Sequence, residues 1–326
     1  MKINKAVVIA VFFAAAFSSV NIALAQPGQY PVRPVRLIVP FAPGGSVDTI
    51  ARMLGAGLTE EMGQQIIVDD RGGASGSIGT ELAAHAAPDG YTLLLHTIPF
   101  VANTFFHRHV PYDVVRDFEP VALIASSPSL LCVHPSLPVH SVRDLLQLAR
   151  TRPGLLTYGT AGAASNPHIA GELFNYLGKV NILAVHFKGG GPALIATISG
   201  EVSIGFSNFS STINFVKAGK LRGIAVSGLK RVASMPELPT IAESGLPGYE
   251  FTAWFGMVAP KGTPRVVIEL LNKRIKDVLA KPEYVKRFAD KGLDVIASSP
   301  EEFGAHLNRE LGKWGKVMKE RGMRAD

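Results

Sequence analysis

Short apolar runs rich in β-branched and aromatic residues alternate with helix-patterned stretches along most of this chain, the pattern of an α/β sheet with crossover helices. The runs predict strands at Val35 to Val39, Gln65 to Val68, Tyr91 to His96, Val121 to Ala125, Leu130 to His134, Leu155 to Tyr158, Ala184 to Phe187, Val202 to Phe206, Leu221 to Val226, Phe251 to Val258 and Val295 to Ser298. Most are continuously apolar, as parallel strands covered on both faces are, so mostly parallel sheets with flanking helices are expected. Helix starts are marked by Ser141 with Asp144, by Thr263 before Pro264, and by Ser299-Pro300-Glu301-Glu302, where a capping serine, a first-turn proline and acids open an amphipathic tail helix toward Glu320. Trp254 and Phe255 sit in an apolar run and read as core.

Two interruptions read as joints. Ser126 to Ser129, with Pro128, breaks one pair of strands, and Ser227 to Pro239 follows another. The expectation is one discontinuous lobe, 26–126 with 236–326, and a second lobe, 127–235. The length agrees, because the 301 residues after position 25 exceed what a single core comfortably serves.

The first 25 residues differ from everything after them. Lys2 and Lys5 precede an apolar run from Ala6 to Val20, and Ala23-Leu24-Ala25 is a small-residue processing pattern. This predicts a signal peptide cleaved after Ala25 and a mature form that is exported and works outside the cytoplasm. Without it the formal charge drops from +7 to +5, a mild bias that favours a small anion, and no dense basic stripe suggests nucleic acid. Cys132 is the only cysteine, so no internal disulfide is expected.

The candidate chemistry lies in glycine-rich strand-to-helix junctions. Val39 to Asp48 runs from a strand through Gly44-Gly45 into a helix, and Tyr158 to His168 does the same through Gly159 and Gly162, with Asn166 placed to cap and Pro167 in the first turn. Such helix starts offer unpaired N–H groups to an anion, and glycine lets a ligand approach the backbone; a tight βα connection explains the same pattern. One junction in each lobe would face the other across a cleft, beyond the carboxyl ends of the strands. Further glycine clusters are Arg71 to Gly79 and Lys188 to Pro192, whose Lys188 and Arg71 either attract an anion or are solvated loop charges. His96 and Thr97 end a strand on the same edge and are candidates for lining the pocket.

Enzyme templates fail. Neither Gly44-Gly45-Ser46-Val47-Asp48 nor Gly73-Ala74-Ser75-Gly76-Ser77 completes a G-x-S-x-G elbow, and no P-loop or dinucleotide fingerprint is present. His107-Arg108-His109 has no third ligand nearby for a metal, and His168 with Glu172 shares a helix face, which predicts a local contact. No metal or cofactor is expected. A hydrolase using Ser46 or Ser165 with His96 or His168 remains the competing reading, and a ligand-sensing subunit is a third.

The motifs PFAPGGSVDTIAR (40–52), AAPDGYTLL (86–94), HFKGGGPAL (186–194), GKLRGIAVSG (219–228) and LPTIAESGLPGYEFTAWFGMVAPKGTP (238–264), in that order, resemble the Bug family of tripartite tricarboxylate transporter receptors. The resemblance implies a two-lobed, type II-like periplasmic binding protein of the Venus flytrap kind. It further implies a monomer that binds a small carboxylate without catalysis and delivers it to membrane permease subunits. By the resemblance, Phe41, Ala42, Gly44, Gly45, Ser46 and Asp48 of the first junction, with Gly159, Thr160, Ala161, Gly162, Ala164, Ser165 and His168 of the second, hold one carboxylate through backbone groups and bridging waters. Lys188 and Ser207 join this set. Family members commonly carry acids where Ser203 and Ser207 stand, on one face of a strand; if that face lines the pocket, amino-acid ligands become less expected and dicarboxylates or aromatic acids stay open. A small residue is usual where His96 stands, which implies a reshaped cavity.

Overall fold

A computed structural model describes residues 30–321; the expected signal peptide, residues 1–25 with its cleavage after Ala25, lies outside them. β1 (Val35–Val39) is apolar except for Arg36, whose guanidinium reaches Asp69, because its other side chains are buried, and it runs parallel to β2 (Ile66–Asp70) and β3 (Thr92–His96). Helices α1 (Ser46–Met62) and α2 (Ser77–Ala84) make the crossovers, and α3 (Pro99–Phe106) leaves β3. β3 then pairs antiparallel with β9 (Thr252–Pro260), and β9 with the first part of β4 (Phe118–Val133). From Ser129 onward β4 changes partners and pairs antiparallel with β7 (Ile204–Asn208) and β8 (Arg222–Val226). β5 (Thr157–Thr160) lies parallel to both β7 and β6 (Leu183–His186). The result is a two-lobed α/β fold in which β4 belongs to both sheets. Helices α4 (Val142–Thr151), α5 (Asn166–Gly178), α6 (Gly190–Ser199) and α7 (Phe209–Lys217) accompany the second sheet.

Three expectations are corrected. The sheets are mixed rather than mostly parallel: a strand buried on both faces reads as apolar whichever way it runs, so sequence alone could not give the direction of β4 and β9. The segments expected as separate strands at Val121 to Ala125 and Leu130 to His134 are one strand. Pro128, which lacks an N–H, stands where the pairing changes sheets, and Ser227 Oγ accepts the Ser129 N–H there at 2.6 Å. The expected strand at Val295 to Ser298 is reduced to β10 (Asp294–Val295), while Ser298 Oγ accepts the Leu123 N–H at 2.9 Å.

After β8 the chain stays with the second sheet for some distance. Met235 and Leu238 bury into the cluster of Leu130, Cys132, Phe209 and Ile213, and the Tyr249 hydroxyl donates to the α5 carbonyl of Ala170 at 2.9 Å. The chain re-enters the first sheet at Thr252. Cys132 is buried, and burial pushes its thiol up to about 12.

Two helix starts are as expected. Ser141 Oγ accepts the Asp144 N–H at 3.1 Å, and Ser299 with Glu302 forms a reciprocal box of 3.1 and 2.7 Å opening the tail helix α10 (Pro300–Arg321). Thr263 does not cap α8 (Arg265–Ala280), which the short α9 (Pro282–Ala289) follows; its hydroxyl turns back to donate to the Pro260 carbonyl. α10 lies so close to β9 that a Cβ on Gly256 would be 2.1 Å from the Phe303 ring, and Glu310 accepts from both Trp254 and Trp314. Trp254 and Phe255 are core, as expected.

Candidate functional site

The first junction leaves β1 at Val39 and enters α1 at Ser46. Gly44 takes a left-handed φ of 83°, and its N–H donates to Asp48 Oδ2 at 2.9 Å. Asp48 is held from behind by Arg52, which also reaches Asp70 at 2.8 Å. The turn is thus fixed by its own side chains. Gly45, at the N-cap, provides no side chain to cover the helix end, and among the described residues nothing accepts from the N–H groups of Gly45, Ser46 or Val47.

The second junction uses its amides internally. The Gly162 N–H donates to Thr160 Oγ1 at 3.3 Å, the Ala161 N–H to Ser165 Oγ at 3.2 Å, and the Ala164 N–H to His168 Nδ1 at 3.1 Å. Ser165, not Asn166, occupies the N-cap of α5, and its hydroxyl donates to the Gly162 carbonyl. Ala164 is held at φ 58°, a conformation this bonding maintains.

Three side-chain hydrogen bonds join loops of the two sheets. Asn208 Nδ2 donates to Ser46 Oγ at 2.8 Å, Asn166 Nδ2 donates to Thr97 Oγ1 at 3.2 Å, and the Ser75 hydroxyl donates to the Ala163 carbonyl. Between these loops lie two adjoining cavities that share Phe41, Ala42, Ala161 and Gly189. The inner, of about 60 Å3, is also bounded by Gly45, Ser46, Val47, Thr97, Pro99, Ser165, Asn166, Pro167, Gly190 and Asn208. The outer, of about 710 Å3, reaches Pro43, the turn Gly72 to Gly76, Gly162, Phe187 and Lys188.

Of the residues expected at the site, Phe41, Ala42, Gly45, Ser46, Thr97, Ala161 and Ser165 line the inner cavity, and Gly162 and Lys188 the outer. The others line neither. Gly44 and Asp48 brace the first turn. Gly159 packs against α6, where a Cβ would meet the Ala193 carbonyl at 3.2 Å, and Thr160 Oγ1 lies 2.6 Å from His186 Nδ1. Ala164 is buried and His168 holds its amide; Glu172 accepts from the Tyr158 hydroxyl. Ser207 Oγ faces Gly205 and Thr197 on the α6 side, and Ser203 shares that face; one residue further, Asn208 reaches the cavity instead. His96 sits behind Phe41, its ring edge-on to Phe41 at 5.2 Å and beside Phe100, with Nδ1 accepting the Thr97 N–H at 2.8 Å.

The glycines of Arg71 to Gly79 and Lys188 to Pro192 carry the signal of wall-forming loops, because glycine permits close approach of a ligand to the backbone. Asn166 and Asn208 had no signal beyond standing at helix starts.

Neutral groups dominate this region. Burial pushes His96 down to about 3 and, with His186 nearby, His168 down to about 4, so both are uncharged imidazoles. Among the described residues no charged side chain lines the inner cavity. Burial and the neighbouring Asp48 carboxylate raise Asp70 behind the first junction. Neither Ser46 nor Ser165 is hydrogen-bonded to a histidine among the described residues; Ser46 Oγ accepts from Asn208 and Ser165 Oγ bonds its own turn. Also among the described residues, no cluster of three His, Cys, Asp or Glu side chains could hold a metal ion, and no helix is long and apolar enough to cross a membrane.

The model of the tripartite tricarboxylate transporter family receptor matches residues 50–323. Protein BugT of Bordetella pertussis is 34% identical over 295 residues, covering 90% of each chain. Among solved structures, Rpa4515 of R. palustris with adipate is 38% identical with a TM-score of 0.87, covering 90% of this chain and 98% of its own. MatC of Rhodopseudomonas palustris with bound malate is 31% identical with a TM-score of 0.84, covering 88% and 99%.

Proposed function

Since this chain belongs to the family of tripartite tricarboxylate transporter receptors, which are solute-binding proteins, we propose that it captures a small carboxylate in its inner cavity and delivers it, in the periplasm, to the membrane subunits of such a transporter. The lobes are taken as residues 33–128 with 252–321, and 129–251, following the exchange of strand partners at Ser129 and the return at Thr252. The observation that carries the reading is the set of uncommitted Gly45, Ser46 and Val47 amides at the N-terminus of α1, facing Asn166 across a cavity without charge. Aligned N–H groups and the helix dipole favour an anion there with no cation required. Three such bonds at about 1.5–3 kcal/mol each approach the roughly 8 kcal/mol of micromolar binding, before ordering costs.

A carboxylate bridging both junctions would favour the closed arrangement that the Ser46–Asn208 and Thr97–Asn166 bonds already brace. A calorimetric and thermal-shift screen of mono-, di- and tricarboxylates and aromatic acids tests the reading, with small-angle scattering as the readout of closure. Binding with a rise in melting temperature is expected, about 2.7 kcal/mol of added stability at 100 times the dissociation constant. A folded protein that binds none of these acids, or that turns over an ester panel, would overturn it.

A further inference from the structure

The two cavities have similarly apolar walls and differ in size and in charge. The inner has room for a carboxylate group and little else, with neutral hydrogen-bonding walls. The outer is more than ten times larger and mostly apolar, walled by Phe41, Pro43, Ala74 and Phe187. A ligand headed into the inner cavity therefore leaves its body in an apolar chamber. Among the residues lining either cavity, Lys188 alone is charged. It is exposed at the rim, between Phe187 and the left-handed Gly189, and no carboxylate of a described residue pairs with it. The other nearby cations are committed: Arg71 to Asp69 at 2.9 Å, and Arg52 to Asp48 and Asp70.

We propose that Lys188 is a specificity-determining residue, pairing with a second anionic group at the far end of a ligand whose first carboxylate occupies the inner cavity. The proposal rests on the carboxylate-receptor reading above. A second acid lying against apolar walls loses hydration and is stabilised by a cation, and among the described residues of the lining Lys188 is the only one. The ligand class is an acid with two anionic ends joined by an apolar stem. A monoacid of the same length gains nothing from Lys188.

The test compares adipate with hexanoate, which has the same number of carbons and lacks the second acid, by calorimetry on the mature protein and on Lys188→Met and Lys188→Arg. Methionine keeps an apolar stem without the charge, and the site is exposed, so folding is preserved. The wild type should bind adipate about tenfold more tightly than hexanoate, in the range of a charge-assisted contact near the surface. Lys188→Met should erase that preference by weakening adipate alone, and Lys188→Arg should restore it. The adipate advantage should also shrink as salt is raised. Equal wild-type affinities, or a preference that survives in Lys188→Met, would overturn the proposal and leave carboxylate binding standing. Binding of neither acid would overturn this proposal, and the carboxylate reading falls with it only if the wider acid panel also fails to bind.

Discussion

The two glycine-rich junctions carry the same sequence signature and do opposite things with it. Each runs from a strand through glycine into a helix, yet the first leaves the amides of Gly45, Ser46 and Val47 free at the start of α1. The second consumes those of Ala161, Gly162 and Ala164 on Ser165, Thr160 and His168. The difference lies in where the side chains stand. Asp48 braces the first turn through Gly44, one residue short of the cavity, whereas Thr160, Ser165 and His168 surround the second. In this reading the first junction receives the anion and the second is a rigid wall that presents Asn166.

The sharpest way to break the contrast is to fill the two turns. Gly45 has φ −77°, open to any residue, and a Cβ there would meet only the Ala42 carbonyl at 3.7 Å. Gly45→Val should therefore still fold, losing about 0.5–1 kcal/mol because valine is a poorer N-cap than glycine, while weakening carboxylate binding by about 100-fold, or roughly 2.7 kcal/mol. Gly162 has φ 110°, and a Cβ would lie 3.3 Å from Ser75 Oγ. Gly162→Val should instead lose about 1–3 kcal/mol of stability and weaken binding less. Denaturation and calorimetry on both variants decide this, and the reverse pattern would exchange the roles of the turns.

Acid should act next, on the buried histidines behind the two junctions. His96 and His168 are depressed by burial to about 3 and about 4, so the unfolded chain binds their protons first. Their stabilisation is complete above the unfolded value of about 6.5 and is lost as pH falls toward the folded values, about 2 kcal/mol for each histidine between pH 6.5 and 5. Protonating His168 also removes the acceptor for the Ala164 amide. His168→Asn, which keeps an acceptor but cannot titrate, should make chemical denaturation less steep in pH over this window. An unchanged slope would remove His168 from the account.

The smallest effect should come from the contact between the lobes. Asn208→Ala deletes the bond to Ser46, worth about 1 kcal/mol, and should weaken binding about fivefold by favouring the open form. Scattering of the variant with and without acid would show whether closure is what it loses.

Much of the fold was legible. The alternation of apolar runs with helical stretches placed β1, β3, β8 and β9 within a residue or two, and the capping residues Ser141 and Ser299 marked α4 and α10 correctly. Local chemistry decides such features: burial sets the apolar run and a free N–H sets the cap. Chain direction was not legible, and neither was the continuity of β4 past Pro128, since both depend on which distant strand lies alongside.

The site divides along the same line. Sequence by itself determined that strand-to-helix turns would be built from glycine, and nine of the expected residues do line the two cavities. Only the tertiary structure decided which way each side chain points from those turns. Ser207 and Asn208 are neighbours, yet pleating turns the first toward α6 and the second into the cleft. His96 was placed correctly at a strand end but lies behind Phe41, because an imidazole that gives its Nδ1 to a backbone amide packs well between aromatic rings. Backbone chemistry is written in the local sequence, whereas a cavity exists only between segments far apart in the chain, such as Ser46 and Asn208, and its walls are set by how those segments pack.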